Sequence, residues 1–243
     1  MANHVLLNNV DHRNMRVLTT RSAALGDDVM FAPTFHHEFR NLQAHYPIFF
    51  RRSPNGPFNA VAMFGFRDGE NLFLEGDCWD AHYVPMTIER QPFLIGLQES
   101  EQEGEVLTRP VIHIDADSPR ISDSAGEPLF LQHGGISDYL KRVDSLLHTI
   151  HAGFVAETGF VDALTEYELL ESFTLDVELD DKSMFRVAGF FTIHEERLGT
   201  LDGEALHALN TRGYLQPAYM VLASLSNIRD LIARKNRRLA VGS

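Results

Sequence analysis

The chain has 243 residues, 44% of them hydrophobic, and a formal net charge of −13 at pH 7. This negative charge repels nucleic-acid backbones and anionic lipid surfaces, so a nucleic-acid partner is not expected. Charged residues interrupt every apolar run before it reaches the roughly 20 residues that a bilayer-spanning helix needs, which argues against a transmembrane segment.

The first half of the chain is predicted to be mainly β-structure. Short apolar runs favour strands at residues 46–52, 58–66 and 71–75. The turn sequence at residues 67–70 predicts that the last two strands form an antiparallel hairpin. Because both faces of the 58–66 strand are apolar, we expect this strand near the sheet centre, with Phe64 buried.

A helix and two more strands are predicted before the middle of the chain. The helix is expected to begin at Thr34, whose hydroxyl can cap it, and to end before Pro47. The strands are predicted at residues 91–98 and 108–114. The acidic segment at residues 99–105 is expected to be a solvated loop between them.

The second half is richer in helix. Apolar residues recur with helical spacing over residues 137–157, and residues 160–170 resemble another helix. A β-hairpin is predicted from strands at residues 172–179 and 184–193.

Two closing helices are marked by Asp202 as an N-cap, Gly213 as a C-terminal stop and Pro217 in a first turn. The pattern predicts an α+β fold, with an antiparallel or mixed β-sheet core in the first half and helices packed on it from the second half. One domain over residues 1–240 is expected, and residues 241–243 are interpreted as a cloning remnant.

Cysteine content and the N-terminus both bear on the compartment. The single cysteine, Cys78, cannot form an intramolecular disulfide, and secreted proteins usually carry cysteines in pairs. Residues 1–16 lack a positive segment followed by an apolar stretch of signal-peptide type. We therefore expect a cytoplasmic protein.

Common cofactor and hydrolase motifs are missing from the sequence. It contains no GxGxxG or GxxxxGK[ST] phosphate loop, no GxSxG elbow and no HExxH zinc motif. No cofactor is therefore expected. Four basic residues near the C-terminus are interpreted as offsetting a helix dipole rather than as an anion-binding patch: Arg234, Lys235, Arg237 and Arg238.

The sequence offers one candidate metal site. His113 and Asp115 lie two residues apart on a predicted strand and therefore share a face. Together with a distal His194 or His207, they would form the 2-His-1-carboxylate set of a non-haem iron oxygenase. With 12 histidines in the chain, a chance occurrence of this pattern is the favoured alternative.

A ligand pocket is the favoured site hypothesis. Trp79 and Tyr83 lie in a connection between predicted strands, Arg90 follows shortly, and Asp115 and Arg120 form a second polar cluster. Aromatic surface combined with directional polar groups is typical of small-molecule pockets. These five residues are expected to converge around one cavity. The competing interpretation is that both arginines pair with carboxylates inside the fold.

Several motifs in fixed order resemble the bacterial SapC family over nearly the whole chain: FHHEFRNLQAHYPI from residue 35, ERQPF from residue 89, IDADSPR from residue 114, ESFTLDVELDD from residue 171 and RGYLQPAYMVLASLSN from residue 212. The resemblance implies a Gram-negative origin and a single family-defining domain. It also implies an association with TonB-dependent receptors, and it brings no established catalytic residues.

These observations together favour an accessory binding protein of Gram-negative envelope nutrient uptake, with an unidentified small molecule or protein as partner. The alternative is the iron oxygenase that would use His113 and Asp115. Whether the chain is an enzyme, and whether it forms a homo-oligomer, is left open by the sequence.

Overall fold

A computed structural model describes residues 3–53, 56–102 and 105–242 of the chain. The strands are β1 (His4–Leu6), β2 (Arg16–Val17), β3 (Phe31–Pro33), β4 (Ile48–Arg52), β5 (Phe58–Met63), β6 (Leu74–Glu75), β7 (Cys78–Trp79), β8 (Phe93–Gln102), β9 (Glu105–Asp115), β10 (Ile121–Ser122), β11 (Glu127–Pro128), β12 (Leu170–Glu178) and β13 (Met184–Ile193). The helices are α1 (Phe39–Leu42), α2 (Met86–Glu89), α3 (Asp138–Glu166), α4 (Glu195–Gly199), α5 (Gly203–Thr211), α6 (Leu215–Ser224) and α7 (Ile228–Gly242).

The predicted α+β class is confirmed, with antiparallel sheets in the first half and helices in the second. The described residues form two compact units. The first lies within Met1–Asp27, Gly76–Cys78 and Met86–Ala152, and the second within Asp28–Glu75, Trp79–Pro85 and Gly153–Ser243. The expectation of one domain over residues 1–240 remains a prediction.

The first unit contains two small sheets, ordered β1-β9-β8 and β10-β2-β11. Its apolar core combines buried strand and loop residues with the first turns of α3: Val17, Phe93, Ile114, Leu129, Phe130, Leu140, Val143 and Leu147. The prediction of an acidic loop at residues 99–105 is wrong for the described part, since Glu99 to Gln102 extend β8 and pair with β9. The ladder with β9 pairs the backbone groups on one edge of this segment, which outweighs the low strand propensity of glutamate. Residues 103 and 104 lie outside the described residues.

The second unit contains a five-stranded sheet ordered β12-β13-β4-β5-β3. Strand β5 pairs with β4 on one side and with β3 on the other, so it is an internal strand as predicted. Phe64, just after β5, is fully buried as predicted. The hairpin between β12 and β13 is also confirmed. Helix α6 packs on this sheet, and its Ser224 Oγ accepts a hydrogen bond from the Ile48 backbone N–H at 2.9 Å.

The predicted hairpin between residues 58–66 and 71–75 is wrong. The partners of β5 are β4 and β3, and the short strand β6 pairs with β7. A side chain explains the difference, because Glu70 Oε2 accepts the Phe66 backbone N–H at 3.0 Å and so replaces a ladder partner. A Cβ atom on Gly65 would lie 2.4 Å from the Glu70 carbonyl oxygen, so the backbone at Glu70 approaches Gly65 more closely than a larger residue would allow.

Two helix predictions also need correction. The helices predicted at residues 137–157 and 160–170 are one continuous 29-residue helix, α3, which ends at Glu166. Its two interior glycines, Gly153 and Gly159, each cost a helix only about 1 kcal/mol and do not break it. Thr34 does not cap α1, which begins at Phe39, and its hydroxyl instead donates to Glu38 Oε2 at 2.6 Å. The cap at Asp202 is confirmed, since its carboxylate accepts the Ala205 N–H at 2.8 Å.

The end of α5 and the start of α6 also follow the prediction. Gly213 follows α5 with a φ of 77°, and Pro217 is the third residue of α6. Within the described ranges, no helix combines the length and the apolar character that crossing a bilayer requires.

Candidate functional site

The predicted pocket segment at residues 79–83 is held in the second unit by a chain of hydrogen bonds. Trp79 Nε1 donates to Tyr46 Oη at 2.7 Å, and Tyr46 Oη in turn donates to the Tyr83 carbonyl. Tyr83 Oη donates to Glu38 Oε1 at 2.9 Å. Burial raises the pKa of Tyr46, so its hydroxyl stays protonated and can donate. The buried Tyr46 hydroxyl and Glu38 carboxylate therefore hold the segment in place.

Aromatic packing adds to this support. The ring of Trp79 is stacked on Phe73 with an interplanar angle of 11°, and it meets the edge of Phe64 at a centroid distance of 5.2 Å. Both phenylalanines are almost completely buried. Trp79 is thus mainly an anchor for the segment, which leaves the neighbouring residues to display polar groups.

A cavity of about 260 Å³ lies beside this segment in the second unit. Three parts of the chain supply its polar lining, namely the loop after α1, the segment at residues 80–82 and the region from the end of α6 into α7. The polar residues are His45, Asp80, His82, Asn227, Asp230 and Arg234. The volume is slightly below the range of drug-sized pockets, so the cavity suits a small molecule.

Arg234 braces one wall of the cavity. Its Nε donates to Asp230 Oδ2 at 2.9 Å, its Nη1 to Asp80 Oδ2 at 2.5 Å and its Nη2 to the Asp80 carbonyl at 3.1 Å. The guanidinium also lies over the ring of Phe73, 4.3 Å from the ring centroid. These contacts use three of its five donors and tie α7 to the segment that carries Asp80.

Two imidazoles form another part of the lining. The rings of His45 and His82 lie 6.0 Å apart between centroids. Burial lowers the pKa of His45, and so do the nearby His82 and Arg234. His45 is therefore neutral at pH 7, with one nitrogen as donor and one as acceptor. Within the part of the chain that the structure describes, neither ring forms a hydrogen bond.

The predicted site residue Arg120 lies in the first unit and is 1% exposed. Its Nη2 forms an ion pair with Asp27 Oδ2 at 2.5 Å. Its Nη1 donates to the carbonyls of Leu18 and Thr20 at 3.2 and 2.8 Å. These contacts agree with the competing interpretation, in which Arg120 pairs with a carboxylate inside the fold.

Arg90 and Asp115 also lie in the first unit and bind backbone groups. Arg90 Nη1 donates to the Phe93 carbonyl at 2.5 Å, and Asp115 Oδ1 accepts the Asn3 N–H at 2.9 Å. Both contacts hold the ends of β8 and β9. The convergence of these two residues and Arg120 with Trp79 and Tyr83 stays a prediction.

The candidate iron site gains no support. His113 and Asp115 do share one face of β9. The imidazole of His113, however, packs closely against Gly96, since a Cβ added to Gly96 would lie 2.6 Å from the nearest atom of that ring. Across the described residues, no group of three or more His, Cys, Asp or Glu side chains is placed to hold a metal ion.

The sequence did not identify His45, Asp230 or Arg234 as site residues. Arg234 was assigned to a helix C-terminus, whereas α7 continues to Gly242 and places it mid-helix. One usable pattern was present, since Asp230 and Arg234 are four residues apart and therefore face each other on a helix.

Comparison with known proteins gives a family. The SapC family model matches residues 7–231 of the 243-residue chain. No curated protein and no solved structure matches it. The matched range includes all the polar residues of the cavity except Arg234, which lies three positions beyond its end. By this match, the chain belongs to the SapC family.

Proposed function

We propose that the chain is an accessory binding protein that holds a small polar molecule in the cavity lined by His45, Asp80, His82, Asp230 and Arg234. The observation that carries this proposal is the partly buried imidazole of His45, which has no hydrogen-bond partner in the described residues. With the exposed His82 it lines a cavity whose other polar side chains are braced. Preformed polar groups around a concave space are typical of ligand sites.

The support around the cavity favours binding by a preformed site. The hydrogen bonds that hold Trp79 and Tyr83 keep the segment in place before a ligand arrives. Such preorganisation reduces the entropy cost of binding.

The cellular part of the proposal is a cytoplasmic role in support of envelope nutrient uptake. Membership of the SapC family supports it, together with the single exposed Cys78. The protein should fractionate with cytosolic enzymes and keep Cys78 reduced. Recovery of most of the protein on the cell surface would contradict this part.

Binding can be tested with a panel of neutral hexoses, amino acids, dicarboxylates and polyamines, followed by calorimetry. We expect one class to bind, and His82→Ala to weaken its binding about tenfold, which equals about 1.4 kcal/mol. The matched control is His207→Ala, which removes an exposed imidazole from α5 in the same unit and should leave binding unchanged. Equal binding by His82→Ala and the wild type would place the ligand elsewhere, and no binding by any class would refute the proposal.

A further inference from the structure

We infer that the ligand of this cavity is a neutral polyhydroxylated ring, such as a monosaccharide or a cyclic polyol. This inference rests on the proposed function and adds the chemical class of the ligand. Three properties of the lining carry it, namely the balance of its charges, the pattern of its free hydrogen-bonding atoms and the volume that it encloses.

The charges disfavour an anionic ligand. The lining contains one cation, Arg234, and two carboxylates, Asp80 and Asp230. Both carboxylates already bind the guanidinium, at 2.5 and 2.9 Å, and one face of the guanidinium covers Phe73. An added carboxylate or phosphate would meet two acidic side chains and a cation that is already paired, so like-charge repulsion opposes it.

The free hydrogen-bonding atoms match hydroxyl groups. Asp80 and Asp230 each use Oδ2 for the ion pair, which leaves Oδ1 of each as an acceptor without a partner among the described residues. The imidazoles of His45 and His82 each offer a donor or an acceptor, and Arg234 keeps two further N–H donors. A hydroxyl both donates and accepts, so neighbouring hydroxyls can satisfy this mixed set. An ammonium ion would leave the donors unmatched.

Volume and surface also fit one small ring. A water molecule occupies about 30 Å³ of liquid, so the 260 Å³ cavity holds the equivalent of about nine waters. One six-membered ring with its hydroxyls is of about that size. Phe73 is 1% exposed beneath Arg234, so the flat surfaces available to the ring are the two imidazoles.

The test compares ligands that share one ring and differ in charge. Wild-type protein is titrated with glucose, galactose, mannose and myo-inositol, and then with the uronate and the amino sugar that match the best neutral binder. We expect saturable binding of at least one neutral ring, with its uronate at least about tenfold weaker. The amino sugar, whose ammonium group the two carboxylates attract, should bind within about tenfold of the neutral ring, and binding more than about tenfold tighter would overturn the inference.

An Asp80→Asn variant separates the charge argument from simple fit. Removing one carboxylate charge should reduce the gap between the neutral sugar and its uronate, whereas a purely structural effect would weaken both ligands equally. Asp77→Asn, an exposed position outside the cavity lining, is the matched control and should leave the gap unchanged.

The outcomes distinguish failure of the ligand class from failure of the proposed function. A uronate that binds as tightly as the neutral ring would overturn the inference. Binding of an amino acid, dicarboxylate or polyamine that depends on His82, with no neutral ring bound, would also overturn it and would leave the proposed function standing. If no compound binds, both claims fail.

Discussion

Replacing Arg234 with lysine tests whether the guanidinium fork holds the cavity wall. The substitution keeps the positive charge but loses the fork that reaches Asp230 and both acceptors on Asp80. A lysine can keep one of these three hydrogen bonds. The change therefore isolates the geometry of the arginine from its charge.

The expected cost follows from the contacts that are lost. The carboxylates of Asp80 and Asp230 are 47% and 49% exposed, so solvent screening reduces the two lost hydrogen bonds to about 1 kcal/mol together. Loss of the guanidinium from the face of Phe73 adds roughly 0.5–1 kcal/mol. The total loss of stability should be about 1.5–2 kcal/mol.

Urea unfolding measures this loss, with Arg237→Lys as the matched control. Arg237 lies on the same helix and is exposed, so its substitution should change the free energy of unfolding by less than about 0.5 kcal/mol. If Arg234→Lys is as stable as the wild type, Arg234 does not brace the wall and the account of a preformed cavity is wrong.

Other substitutions test the core, the titration of a histidine and a close helix contact. Phe64→Ala should cost about 3–5 kcal/mol in urea unfolding because the ring is fully buried, and a cost below about 1 kcal/mol would contradict an internal position. Because the pKa of His45 is lowered in the folded protein, the unfolded chain takes up its proton first, so this group should reduce stability as the pH falls below about 6.5. His45→Gln should flatten that part of the stability profile, and an unchanged slope would contradict the assignment. Gly153→Ala should lose about 1–3 kcal/mol although alanine favours helices, because its Cβ would lie 2.4 Å from the buried ring of Phe35. Gly203→Ala, with no atom within 4 Å of the new Cβ, is the control and should not lose stability.

The sequence predicted the positions of strands and helices better than it predicted which strands pair with each other. Periodicity reports which faces of a segment are buried, so β5 was found as an internal strand. Turn and capping residues marked the hairpin of β12 and β13 and the cap at Asp202. It does not report which strand lies alongside. The partner of β5 was misassigned because the Glu70 side chain occupies the Phe66 N–H, a contact that no pattern of apolar residues encodes.

The site shows the same limit. The segment that carries Asp80 was identified from its mixture of aromatic and polar residues, and this mixture is local in sequence. Arg234 lies 154 residues further along the chain, and its contact with Asp80 depends on where α7 packs. Arg90 and Arg120 were expected in the site because of their residue type. The structure shows them bound to backbone carbonyls, and Arg120 also to a buried carboxylate.

The most direct test of the account is an NMR titration of the histidine ring protons with the neutral hexoses and myo-inositol. The account predicts saturable shifts at His45 and His82 with one common dissociation constant, and no shift at the exposed His207 on α5. The absence of shifts at His45 and His82 with every ligand, or equal shifts at His207, would contradict the claim that this cavity binds such a molecule.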